Sequence, residues 1–207
     1  MTDEVMQRAR GEREEFAALL ENLTPQQWDS PTLCERWRVR DVVAHVIGYD
    51  PMSRGQLARR MAKGLVTRGG ANAVVVAEYA NKSPEELTAL MRRYAVPQGL
   101  TAGFGGKIAL TDGMIHQQDI RRPLGMPRTI AAESLRIALD FTAWSPRLLG
   151  AVRARGVRLV ATDIDWVYGK GPEVRGSGEA ILMAMAGRRV ALDDLDGPGR
   201  AKLARRF

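Results

Sequence analysis

Residues 107–125, KIALTDGMIHQQDIRRPLG, decide how the rest of the chain is read. The stretch follows the loop-like PQGLTAGFGG at 97–106 and stops at Pro123 with Gly125 just beyond, which predicts a helix from about Lys107 to Arg122. In that helix Asp112 and His116 lie four apart, one above the other, with Cβ atoms about 5–6 Å from each other. Such a pair is either an ordinary helical contact or two arms that can meet one ion. Spacing alone leaves both readings open.

Working outward, the other histidine of the chain, His45, sits in VRDVVAHVIGYD at 39–50, whose apolar stripe faces a helical core. A histidine on such a face is ordinarily a hydrogen-bonded core residue, yet helix packing can also bring it opposite Asp112 and His116. Two nitrogens and one carboxylate oxygen would leave a coordination position open, the arrangement of a catalytic rather than a structural zinc site.

The helix starting near Val39 is expected to bend or break at Pro51 and to resume through RGQLARRMAKG. Val5, Ala9, Phe16, Leu20 and Leu23 recur at three- and four-residue steps and predict a first helix; Thr24-Pro25 caps a short turn through Trp28. SPEELTALMRRYA at 83–95 combines a serine cap, a first-turn proline and two acidic residues, so four principal helices form a bundle. Ile137, Phe141, Trp144 and Leu148 predict a further helix packed in that bundle.

Near residue 155 the pattern changes. VRLVATD and DWVYG alternate as strands, a glycine-rich turn follows, SGEAILMAMAGRR reads as a helix, and VALDDLDG reads as a short closing strand. The expected organisation is a mainly α bundle over 1–155 followed by a small C-terminal α/β domain over 156–207.

Composition excludes several function classes. With 45% hydrophobic and 27% charged residues in 207, wholesale disorder is set aside. The net charge of +7 is mostly arginine scattered through every segment, so it lacks the basic stripe or aromatic interleaving of a nucleic-acid surface. No apolar run reaches the roughly 18 residues of a membrane span, and MTDEVMQRARGEREEF is charged where a signal peptide is apolar, so a cytoplasmic protein with no membrane partner is expected. One cysteine, Cys34, allows neither an internal disulfide nor a four-cysteine zinc site. No base stands beside it in the sequence, and it reads as a small buried hydrophobe.

The spacing Pro31-Thr32-x-Cys34-x-x-Trp37-x-Val39-x-Asp41-x-x-x-His45, with Asp112-x-x-x-His116-x-x-Asp119-Ile120-x-x-Pro123-Leu124-Gly125 downstream, resembles the mycothiol-dependent maleylpyruvate isomerase family within the DinB/YfiT-like superfamily. The resemblance covers nearly the whole chain and implies a DinB-like four-helix bundle with a small C-terminal α/β domain. It also implies a divalent metal, zinc first with nickel or iron as alternatives, held by His45, Asp112 and His116. The isomerase has glutamate where Asp112 stands, and the family commonly has serine or threonine where Arg38 precedes the second helix.

The thiol in such an enzyme comes from mycothiol as cosubstrate, and the second partner is a small electrophile. Addition of the thiolate followed by its departure isomerises a double bond; addition without departure is an S-transfer. The alternatives are a metal-binding protein without turnover and, further off, a basic nucleic-acid-binding protein. Self-association is left open.

Four side chains have two readings each. Asp119, one turn after His116, either accepts its second ring N–H or pairs with Arg122. Asp41 either supports His45 or serves the first turn of its helix. Trp28 and Trp37 read as core packing rather than as a substrate platform.

Overall fold

The chain begins with α1 (Thr2–Glu21), whose Val5, Ala9, Phe16 and Leu20 form one buried stripe at helical spacing. The structure, a computed structural model, describes residues 2–50 and 52–207. Thr24 caps α2 (Pro25–Trp28) through a reciprocal pair with Gln27, and Trp28 is driven into the core.

The segment around His45 is α3 (Val39–Ile47), and a separate α4 (Arg54–Val66) starts behind a Ser53–Gln56 capping box. The break expected at Pro51 falls outside the described residues. GANAVVVAEY, for which periodicity predicts nothing, is α5 (Gly70–Tyr79). Ser83 and Glu86 cap α6 (Pro84–Arg93), and α7 (Lys107–Arg121) follows the expected loop. Gly106 opens α7 at φ 92°, and a Cβ there would lie 3.2 Å from the Met6 backbone of α1, so the close approach of these two helices depends on glycine.

These elements belong to a first compact unit, Met1–Pro127. In it α1 packs on α6 and α7, α3 packs on the same two, and the four close into the expected bundle. Phe16, Leu20, Val43, Val46, Ile47, Leu87, Met91 and Ile120 fill its centre. The α4–α5 pair lies outside the ring, with α5 against α3.

One polar knot crosses the bundle. Arg13 donates to both oxygens of Asp50, at 2.8 and 3.0 Å, and to the Tyr94 carbonyl at 2.6 Å. Asp50 Oδ1 also accepts from Gln98 N and from the Thr101 hydroxyl. The knot ties α1 to the end of α3 and to the loop before α7.

The second unit is Arg128–Phe207. It takes in α8 (Ala132–Trp144), which packs against α9 (Gly150–Arg153) and α10 (Gly178–Met185). Amphipathic spacing shows that a helix has an apolar face but not which partner covers it. Here Leu135, Ala138 and Leu139 are buried, whereas Trp144 is exposed.

After α9 (Gly150–Arg153), the expected strands are β1 (Arg158–Ala161) and β2 (Val167–Gly169), paired antiparallel. The segment read as a glycine-rich turn contains β3 (Glu173–Gly176), which pairs parallel to β1 and gives the order β2-β1-β3. Ser177 caps α10 (Gly178–Met185), which covers the sheet.

VALDDLDG is not a strand. Arg189–Asp194 turns as a 3-10 helix, Asp196 alone bridges to Arg175, and the short α11 (Arg200–Ala204) follows. Its alternating Val190 and Leu192 mimic a strand, but α10 takes up Ala191 and Leu192 from a turn.

Candidate metal centre

Three side chains from two helices of the first unit converge. α3 supplies His45 and α7 supplies Asp112 and His116, four apart on one face as their spacing requires. His45 Nε2 is 3.7 Å and His116 Nε2 is 3.5 Å from Asp112 Oδ1, and the imidazoles meet edge to face with centroids 4.8 Å apart. The ligand-type atoms of all three lie within 4.8 Å of one another.

These distances are long for hydrogen bonds. They lie close to the spacing of atoms that share an ion: zinc bonds of about 2.0–2.2 Å in a tetrahedron place neighbouring ligand atoms about 3.3–3.6 Å apart, a range that holds the 3.5 Å distance and falls just short of the 3.7 Å one. Asp112 retains 33% side-chain exposure against 12% for His45 and 9% for His116, so the cluster is reached from its carboxylate side.

The electrostatics follow from this crowding. Burial pushes the Asp112 carboxyl up, but His116 and then His45 outweigh it and hold the group well below the usual carboxylate range. Burial likewise pushes His116 down, while Asp112, Asp119 and Cys34 together carry it well above the ordinary histidine value.

Behind His116 a second group lies at different spacing. His116 Nδ1 is 2.9 Å from Asp119 Oδ2, and the Cys34 thiol donates to that same oxygen at 3.0 Å. Asp119 is fully buried, and the fold realises its contact with His116. Asp41 takes the other course: its carboxylate accepts from Arg38 N at 2.9 Å, half of a capping box that compensates for the missing serine or threonine.

Cys34 was expected to be an inert hydrophobe, and the fold brings it within 3.7 Å of His116 Nδ1. The carboxylate beside it is 85 residues away in sequence, so only its place in the Pro31–His45 motif could have marked it. The loop carrying it is folded tightly. Thr32 N donates to Trp37 O, Trp37 N to Cys34 O, and Val39 N to Ser30 O, while Leu33 N reaches Asp119 O at 3.0 Å.

Trp37 packs on the core as expected and also lies against both imidazoles, 5.1 Å from the His45 centroid and 6.5 Å from that of His116. Tyr49, one turn after His45, meets it edge-on at 6.0 Å and donates its hydroxyl to Asn72 of α5. Spacing of four from His45 was the available signal for Tyr49. Arg60 of α4 stacks over Tyr49, donates to Gly48 O at 2.6 Å and pairs with Glu78.

Residues 9–98 match the family model described as the mycothiol maleylpyruvate isomerase N-terminal domain, the segment that carries the Pro31–His45 motif. The chain also shares its fold with crystal structures of the mycothiol-dependent maleylpyruvate isomerase. One is at 15% identity and a mutant form is at 14%, each with a TM-score of 0.57 over 96% of this chain and 93% of that one. The family resemblance and the mainly α fold with a small sheet are thereby borne out. No curated protein sequence matches the chain.

Proposed function

We propose that the protein is a metal-dependent enzyme that uses mycothiol or a similar small thiol to isomerise, or to transfer the thiol onto, a small electrophile. The observation that carries this reading is the convergence of His45 Nε2, Asp112 Oδ1 and His116 Nε2, with both nitrogens 3.5–3.7 Å from the carboxylate oxygen and all three atoms within 4.8 Å of one another. The match over residues 9–98 and the shared fold support the thiol chemistry.

His45, Asp112 and His116 would hold a divalent ion, zinc in the first place. With one carboxylate and two neutral imidazoles the site keeps a net positive charge, which lowers the proton affinity of a thiol at its open position from about 8.5 toward neutrality.

The chain's own residues do the rest. Asp119 accepts a hydrogen bond from Nδ1–H of His116, which leaves Nε2 as the nitrogen that faces Asp112. Trp37 and Tyr49 wall the His45 ring and restrict its rotation. Asp112, the exposed member, marks the face by which thiol and electrophile enter.

In the isomerisation, the thiolate sulfur adds to one carbon of a conjugated double bond and the electron pair moves onto the conjugated carbonyl. The resulting single bond rotates. Return of the pair re-forms the double bond and expels the thiolate. Retention of the C–S bond with protonation of the neighbouring carbon gives the S-transfer product.

Metal analysis of untagged native protein, His45→Ala and His116→Ala tests the site: one ion per chain in the native protein and loss in both variants is expected. Folded native protein that cannot be loaded with zinc, nickel or iron would refute it. Loaded protein is then mixed with mycothiol and maleylpyruvate or related electrophiles, and isomerisation and thiol loss are followed separately. Turnover in neither assay would leave a metal-binding protein without catalysis.

A further inference from the structure

We infer that Cys34 is a positioning residue for His116, acting through Asp119. Two donors from different parts of the first unit converge on one oxygen: His116 Nδ1 at 2.9 Å from α7 itself, and the Cys34 thiol at 3.0 Å from the loop before α3. Asp119 has no solvent exposure, and a buried carboxylate is held in place by the donors that replace its water. With the thiol fixed on Oδ2, that oxygen stays in the plane where the imidazole N–H meets it.

Cys34, His116 and Asp119 have the composition of a second metal site, and their distances decide against it. Separations of 2.9 and 3.0 Å fall below the roughly 3.3 Å minimum between ligand atoms around a tetrahedral zinc ion, and a sulfur ligand, with bonds of about 2.3 Å, would widen the gap. They are hydrogen-bond lengths. His116 therefore presents one nitrogen to each group, Nδ1–H to Asp119 and Nε2 to Asp112.

The position of the thiol is itself over-determined. Leu33 N donates to the Asp119 carbonyl at 3.0 Å, so the cysteine loop grips the same residue by backbone and by side chain. Thr32 Oγ1 accepts from Cys34 N at 3.1 Å and donates to Trp37 O at 2.9 Å, which closes the turn that aims the thiol inward. Trp37, at the end of that turn, is the residue that lies against both imidazoles. One short loop thus sets His116 from behind and the face of both rings from the side.

The use of this device rests on the metal reading above, whereas the contact itself does not, and the experiment separates them. Zinc affinity is measured by competition with a chromophoric chelator for native protein, Cys34→Ser and Cys34→Ala, with unfolding curves to confirm folding. Cys34→Ala should bind zinc about 10-fold more weakly, within the range seen when a group supporting a metal-bound histidine is removed, and Cys34→Ser should recover most of that loss because it keeps the donor. The cobalt-loaded proteins should follow the same order in their visible absorption.

In metal-free protein, the Nδ1–H proton of His116 should give a protected NMR signal that broadens by faster exchange with water in Cys34→Ala and persists in Cys34→Ser. Should the alanine variant fail to fold, Cys34→Val, similar in shape without the donor, takes its place. Zinc affinity within twofold of native in the donor-less variant, or a serine variant as weak as it, would overturn the inference while leaving the metal reading intact. Native protein that binds no zinc would overturn the metal reading alone, and an Nδ1–H signal unchanged by loss of the thiol would then overturn the contact.

Discussion

Asp50→Asn is the most searching perturbation of the bundle, because it keeps the side chain's size and removes only its charge. Asp50 is 3% exposed and accepts four hydrogen bonds, two from the Arg13 guanidinium at 2.8 and 3.0 Å, one from Gln98 N at 2.9 Å and one from the Thr101 hydroxyl at 2.6 Å. Arg13 is 1% exposed and has no route to water, so the asparagine leaves a buried cation facing an amide. Breaking a buried pair from one side costs about 3–5 kcal/mol. For a unit of this size that corresponds to a fall of roughly 10–20 °C in its melting temperature.

Because the chain has two units, native-state hydrogen exchange on peptides from α1 and α6 is the assay, since it reads the first unit by itself. The double variant Arg13→Met/Asp50→Asn removes the stranded charge while keeping an acceptor for Gln98 and Thr101, and it should regain most of the loss. A cost below about 1 kcal/mol for Asp50→Asn, or a double variant no more stable than the single one, would refute the reasoning.

Three further outcomes are expected. In chelator-treated protein the raised His116 contributes stability that is complete below its usual 6.5 and lost as pH rises through the raised value, and the lowered Asp112 contributes stability that is complete above its usual 3.8 and lost as pH falls through the lowered value. The unfolding midpoint of native protein minus that of Asp112→Asn should therefore be largest between about pH 4 and 6.5 and shrink above it; a difference independent of pH would count against the pair. Cobalt titration should quench the fluorescence of Trp37, whose ring lies 5.1 and 6.5 Å from the two imidazole centroids, and Trp37→Phe should abolish most of the change in emission. Gly48→Ala should destabilise the first unit by about 1–3 kcal/mol, measured by urea unfolding, since its Cβ would meet Val75 Cγ1 and the Ala44 carbonyl oxygen and wedge α5 off α3.

The helices of the bundle were legible because their signals are local. Apolar residues at helical spacing in α1, the Thr24 and Ser83 caps and the Pro123 stop all act within one or two turns of the chain. The misread elements failed for a common reason: their patterns were real but their partners were distant. The face of α8 is set by α10, Ala191 and Leu192 of Arg189–Asp194 are buried from a turn against α10, and β3 forms because β1 offers an edge to a segment rich in turn residues. None of these partners can be read from the segment itself.

The sequence by itself determined that Asp112 and His116 share one helix face, since a separation of four admits no other placement in a helix, and the resemblance of its motifs put His45 with them. Only the tertiary structure decided how near the three side chains come to one another, because that depends on how closely α3 and α7 pack. It alone also set the knot of Arg13 and Asp50 and the grip of Cys34 on Asp119, across 37 and 85 residues respectively. Contacts of that range follow from the closing of the bundle, where burial removes water and leaves each charge to find its partner from whichever segment the fold brings near.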